Sequence, residues 1–244
     1  MAYYVEKAVL DAGVKTVFAE MHGIDNHGRS DLWDAFRAKE IDRFYEMYKD
    51  LDVHSDPIIE GFNILHDKTG VKRRKNIPST QNLIKLLVKN HELFYVNKLV
   101  DIYNICSLET KLSFGAHDMS KIDGDVTLRF TDGTERFQPL GQPEPKPINP
   151  HEYSYIDSSN EVLCRLEIRQ VEKTAITEDS EDVLLLVIGH EDTTQEYLDQ
   201  AMQDLIDMIQ KYCGGFGEIV QPEVYGYRSL RNKQRKKAKK DRHH

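Results

Sequence analysis

The sequence predicts an α+β fold. Three observations predict it. Apolar residues at helical spacing dominate the first hundred or so residues. Strand-like runs separated by turn signals dominate the stretch from Val126 to Ile188. One long amphipathic stretch then carries Tyr197, Leu198, Ala201, Leu205, Met208 and Ile209 on one side. Segregated helices and strands argue against alternating βαβ units and for α+β.

The elements follow in order. Val14–Met21 alternates well enough for a strand. His22 to Gly28 is a loop by its Gly and Asn content. Ser30–Asp50 is a helix, with Leu32, Phe36, Phe44, Tyr45 and Tyr48 near helical spacing. Ile58–His66 is a second, shorter helix. Pro78 breaks the chain, and Ser79 is placed to cap a helix over Gln81–Asn90. Val126–Phe130 and Glu135–Leu140 flank Asp132-Gly133, a hairpin signal because that turn needs positive φ. Pro143, Pro145, Pro147 and Pro150 form a stiff connector. Tyr153–Asp157 and Val162–Gln170 make a further hairpin around Ser158 to Asn160. Imperfect alternation at Leu163, Leu166 and Ile168 predicts a bulge there. Val183–Ile188 has no polar residue and reads as a buried strand. Thr193 and Glu196 fit a capping box for the last helix, and Gly214-Gly215 fits its end.

Composition bounds the protein further. The 244 residues, 39% hydrophobic and 30% charged, suit a globular chain without a membrane span. The first residues lack the layout of a signal peptide, so the expected compartment is the cytoplasm. Cys106, Cys164 and Cys213 have no metal-ligand spacing and read as buried, reduced thiols. His22 and His27 do not match a helical zinc pair, so neither a metal nor another cofactor is expected. Residues 1–227 read as one domain, followed by a basic tail over 228–244. The tail holds nine Lys/Arg against one Asp, a net +8. The remainder has 24 basic and 40 acidic residues, a net −16. A basic tail on an acidic body fits a nucleic-acid contact, with Arg235, Lys236 and Lys237 at its centre; a solvated tail is the other reading.

The most informative stretch runs from Asn97 to Glu109. If it is helical, Asn97, Asp101 and Asn104 share one face, and Leu99, Ile102, Ile105 and Cys106 turn to a core. His117-Asp118 and Gly124-Asp125 follow. This order resembles the tRNA-editing module of the beta subunit of bacterial-type phenylalanyl-tRNA synthetase, the B3/B4 domain, and especially its free-standing versions. Asn97, Val100, Asp101, Asn104, Glu109, Ala116 and Asp118 match the family pattern without a gap, and Lys121, Gly124 and Arg129 match beyond it. A weaker likeness extends over residues 76–190. The chain departs from the pattern at the pocket. The family's histidine falls on Gly115, His117 stands where the family has Phe, and the family's glutamate falls on Leu186.

The resemblance implies helices packed around a β-sandwich-like sheet core, and a pocket beside the Asn97–Glu109 helix. It implies hydrolysis of a mischarged aminoacyl-tRNA in trans, where positioning a water suffices because the ester is already activated. Asn97 is then a catalytic candidate on the polar wall; otherwise it is a helix cap. Glu109 terminates or braces the helix; a base role is the other reading. Residues 115 and 117 share a strand face, which makes His117 a substitute for the missing histidine. Gly115, Ala116 and Leu186 would line the substrate pocket, and Leu186 predicts an apolar acyl group. Arg165, Glu167 and Arg169 alternate, so they form either a charged pocket wall or a surface ion-pair ladder. Arg73, Arg74 and Lys75 are candidates for phosphate contacts. The expected partner is tRNA or aminoacyl-tRNA, with a synthetase a further candidate, and no DNA or membrane. Two other readings stay open: a non-catalytic tRNA-binding module, and a domain that binds a small molecule such as an amino acid.

Overall fold

The computed structural model describes residues 1–226. It is α+β, with two sheets and a helical layer. One sheet has four strands: β2 (Lys15–His22), β3 (Ser113–Asp118), β8 (Val183–Gly189) and β9 (Phe216–Val220), in the order β3-β8-β2-β9. All its pairs are antiparallel. The other sheet holds β1 (Tyr3–Glu6), β4 (Val126–Phe130), β5 (Tyr153–Asp157), β6 (Val162–Arg165), β7 (Arg169–Gln170) and β10 (Glu223–Tyr225), in the order β10-β1-β4-β5-β6-β7.

Strand β8 explains the layering. Its side chains alternate between two cores, and both are apolar. Val183, Leu185 and Val187 join a core with the helices. Leu184, Leu186 and Ile188 join a second core with Tyr3, Val5, Leu128 and Tyr155 of the six-stranded sheet. A strand covered on both faces needs no polar alternation, which is why its sequence is a continuous apolar run. The layers are therefore sheet, sheet, helices. The outer face of the six-stranded sheet is covered by the long connection over 131–152, where Phe137 and Ile148 pack on Ile156 and Val162.

The helical layer contains α2 (Asp31–Tyr48), α4 (Ser79–Asn90), α5 (Lys98–Thr110) and α6 (Gln195–Cys213). Helix α6 buries Leu198, Ala201, Met202, Leu205, Ile206 and Ile209, a stripe at i, i+3 and i+4. Its cap is Thr194, which accepts from the Tyr197 amide, one residue later than the sequence suggested. Thr193 instead bonds backbone groups of His190. Ser79 does not cap α4 either; it starts the helix, and its hydroxyl meets Ser113. Two further α-helices complete the set among the described residues, α1 (Lys7–Asp11) and α3 (Pro57–Lys68). Helix α3 starts on Asp56, whose carboxylate accepts from the Ile58 and Ile59 amides.

Close approach fixes Gly61 of α3. A Cβ there would stand 2.0 Å from the buried ring of His190, which also meets Phe62 edge-on and bonds the Ile58 carbonyl. The ring is held on two sides and cannot give way. Gly61→Ala should therefore destabilise the protein by roughly 1–3 kcal/mol, as overpacking does. A lower urea midpoint at unchanged slope would show it.

Two expected strand features are absent among the described residues. Residues 135–140 form no strand beyond isolated bridges at Arg136 and Pro139. The Glu135 carboxylate instead folds back onto the Asp132 and Gly133 amides, so the segment closes on itself locally. The run Arg165, Glu167, Arg169 is not one strand face. Leu166 has φ +53°, which turns the chain between β6 and β7. The β5–β6 pair does carry a register shift, at Tyr155/Ile156. No helix among the described residues is long and apolar enough to cross a membrane.

Candidate functional site

All six residues of β3 are buried, but its two faces differ. Phe114 and Ala116 enter the helix-side core. Gly115 and His117 face the other way, into a cavity of about 280 Å³. Leu186 and Ile188 of the neighbouring β8 form its apolar wall. Helix α4 contributes Asn82, Leu83 and Leu86, and α5 contributes Tyr103 and Asn104. Arg169 and Gln170 come from β7 on the opposite side.

His117 is the cavity's most unusual group. It is 1% exposed. Its Nδ1 lies 2.8 Å from the Thr174 hydroxyl, while its Nε2 is buried without a hydrogen-bond partner among the described residues. Burial alone pushes its pKa down to about 3, so the ring is neutral at ordinary pH. An unpaired buried ring nitrogen costs free energy unless something else pairs it.

Gly115 shapes the space beside it. A Cβ at this position would lie 2.7 Å from the Gln170 amide nitrogen and 4.0 Å from His117 Nε2. Beyond the amide stands Tyr103, whose phenol burial pushes up to about 12, against a hydrogen bond to Gln170 that lowers it. Cys164 also lines the cavity, and burial holds its thiol up at about 12, so it is no nucleophile.

Behind the cavity wall lies a fully buried cluster. Glu167 Oε1 is 2.5 Å from His66 Nε2, and Tyr153 donates to Oε2. Both members of the His66–Glu167 pair have side chains at 0% exposure. The carboxylate is thereby spent on structure, although Glu167 contributes to the cavity lining. Ser113 Oγ donates to the Glu167 carbonyl at 3.0 Å, which ties the turn to β3.

Gly115, His117, Glu167 and Leu186 thus come together at the cavity. Asn97 does not. It caps α5, accepting from the Val100 amide and donating to the Ile176 carbonyl, because a buried helix start must satisfy its amides. Asp101 is structural as well: its Oδ2 takes 2.7 Å bonds from Trp33 and Arg37. Asn104, on the same helix, does reach the cavity. Ala116 is turned away by strand parity. Arg165 leaves the wall to bind both Glu152 oxygens and Asn76. Arg73 pairs with Glu60 and Asp67. Arg74 and Lys75 are exposed. Arg235, Lys236 and Lys237 lie outside the described residues. Glu109 pairs with Arg43 at the surface. His22 pairs with Glu20 and Asp182, and His27 with Asp25 and Asp179. An acidic trio, Asp123, Asp157 and Glu161, surrounds the Lys173 ammonium, which supplies the positive charge it needs.

The profile of the B3/4 domain family matches residues 68–214, well over half of the chain. The chain belongs to the B3/4 domain family. Among solved structures, an N-terminal fragment of the phenylalanyl-tRNA synthetase beta-subunit from Pyrococcus horikoshii is similar at 16% identity and a TM-score of 0.49. That likeness covers 93% of this chain and 52% of the fragment, so the chain spans about half the fragment's length. No curated protein matches the chain.

The matched region of this B3/4 domain contains every cavity residue named above. Sequence reasoning did not place Tyr103 or Gln170 in the site, whereas Arg169, one of the alternating charges read as a pocket wall, does line the cavity. Arg169 is exposed at the mouth and has no ion pair with any described residue. Gln170 carried no motif signal, since its role comes from meeting Gly115 across the cavity.

Proposed function

We propose that this B3/4 domain takes the aminoacyl end of a tRNA into the cavity and hydrolyses its ester in trans. One observation carries the reading. The buried, unpaired Nε2 of His117 opens on a cavity at whose mouth the Arg169 guanidinium has no carboxylate partner among the described residues. A neutral imidazole nitrogen can hold a water against an ester carbonyl. The water adds to the carbonyl carbon, the bond to the ribose oxygen breaks, and a free amino acid and a tRNA hydroxyl result. Arg169 suits a backbone phosphate just outside.

Size supports the same division. About 280 Å³ lies at the low end of ligand pockets, which run to roughly 300–1,000 Å³. It accommodates one acyl group, and the nucleotides must lie outside. Helix α4 lines the cavity, and its exposed Lys85 and Lys89 have no ion pair with any described residue. With Arg74 and Lys75 they offer the RNA a cationic approach on an otherwise acidic body. We read residues 1–227 as one unit, the 228–244 tail as a further RNA contact, and the cytoplasm as its compartment; a synthetase remains a candidate partner.

A second reading, a tRNA-binding module without catalysis, is favoured by the lack of an activated nucleophile. The Cys164 thiol is held protonated, and Ser113 spends its proton on the Glu167 carbonyl. A panel of mischarged tRNAs decides. Loss of one ester well above the spontaneous rate is expected. Tight binding with no ester loss would establish the second reading, and neither binding nor hydrolysis would overturn both.

A further inference from the structure

We propose that Gln170 selects the acyl group, and that the cavity takes an uncharged side chain bearing a hydroxyl or carboxamide. This rests on the aminoacyl reading above. Gly115 makes the room for this selection. Its backbone is regular strand, without positive φ, so glycine's conformational freedom is not what the position requires. Space is. The missing side chain leaves room for the Gln170 amide, which comes within 2.7 Å of where a Cβ would be. The same point is 4.0 Å from His117 Nε2, so the amide and the ring nitrogen converge on one small volume.

Gln170 cannot leave this place by moving its backbone. It pairs with Cys164 in the β6–β7 ladder, and its carbonyl accepts from the Leu140 amide at 2.9 Å. An amide offers two donors and an acceptor, and interaction with the Tyr103 phenol leaves further capacity for a ligand.

The inner end has hydrogen-bonding groups but no available charge. His117 and Tyr103 are both neutral at ordinary pH. The Glu167 carboxylate is turned to His66 and Tyr153. A charged acyl side chain would be buried there without a counter-charge. A pure hydrocarbon would take water from Gln170 and His117 and return no hydrogen bond. A hydroxyl or carboxamide pairs with both, while Leu186 and Ile188 pack its aliphatic part. Leu186 alone favours an apolar acyl group, and the groups facing it add the polar requirement proposed here.

Shape-matched tRNA pairs test the proposal: threonyl against valyl, glutaminyl against methionyl, tyrosyl against phenylalanyl. Binding and ester loss are both followed. The wild type should favour the polar member of the best-accepted pair by about tenfold or more. Gln170→Met, close to isosteric, should bring that ratio toward one. Gly115→Ala should do the same by pushing the amide aside, and it keeps Gln170 itself intact. A wild type that prefers valyl over threonyl, or the hydrocarbon member throughout, overturns the selection while leaving ester hydrolysis standing. A ratio unchanged in both variants also overturns it. Failure to bind or hydrolyse any of the tRNAs removes the aminoacyl reading and this inference with it.

Discussion

Glu167→Ala is expected to destabilise the protein by about 3–5 kcal/mol, the usual cost of removing one partner from a buried pair. Among the described residues, the carboxylate alone hydrogen-bonds His66 Nε2, and it receives the Tyr153 phenol as well. Both the imidazole and the phenol are buried. His66 Nδ1 already lacks a partner among the described residues, so truncation would leave that ring with no hydrogen bond on either nitrogen. Burial, followed by the Glu167 carboxylate, holds the Tyr153 phenol's pKa well above its ordinary value, so Tyr153 remains a donor in search of an acceptor. Glu167→Gln keeps one acceptor oxygen and should fall between wild type and the alanine variant. Urea unfolding read by two probes measures both. Midpoints unchanged in the alanine variant would mean that water enters and replaces the carboxylate. The consequence reaches the cavity, because Glu167 lies in the turn that carries Arg169 and Gln170.

That turn also shows where sequence reasoning stops. The continuous apolar run of β8, the α5 stripe and the long closing helix were legible, because each pattern reports burial on its own faces. So was the shared face of Gly115 and His117, which needs only strand parity. The alternation of Arg165, Glu167 and Arg169 misled because parity assumes a continuous strand. Leu166 adopts a left-handed conformation that is costly for a branched aliphatic residue and carries no composition signal. The short strands β1 and β10 were invisible for another reason. They pair in parallel with partners more than a hundred residues away, and nothing local marks them. Asp132-Gly133 did form a turn with positive φ at Gly133, but the Glu135 carboxylate captured its amides before a hairpin ladder could. In the site, the Gly115 vacancy was readable, whereas its filling by Gln170 was not, since the two are 55 residues apart in the chain.

His117 is expected to make the fold acid-sensitive. Its pKa is pushed down to about 3 in the folded protein by burial, against about 6.5 in an unfolded chain. Between those values the unfolded state binds a proton that the native state does not. Stability must therefore fall as pH falls through that window, by about 1.4 kcal/mol per pH unit from this group. Above 6.5 the contribution is constant. Carboxylates and the buried His190, whose pKa burial also lowers, add their own slopes, so the test is a difference. Unfolding free energies of wild type and His117→Phe are measured from pH 7.5 to 4.5, and the variant's curve should be flatter by that slope below 6.5. Parallel curves would mean that the ring is hydrated in the native state and titrates normally. If the proposed hydrolysis occurs, the neutral ring also sets its pH profile. A ring that stays neutral down to about 3 puts no step near pH 6.5 into ester hydrolysis. If the ring positions the water, His117→Phe should lower the rate about a hundredfold, at the low end of what such groups contribute. A variant with full activity would leave the unpaired nitrogen as a feature of the fold alone. A hundredfold loss together with a flat wild-type profile from pH 5 to 8 is the combination that a buried, neutral, water-holding imidazole requires.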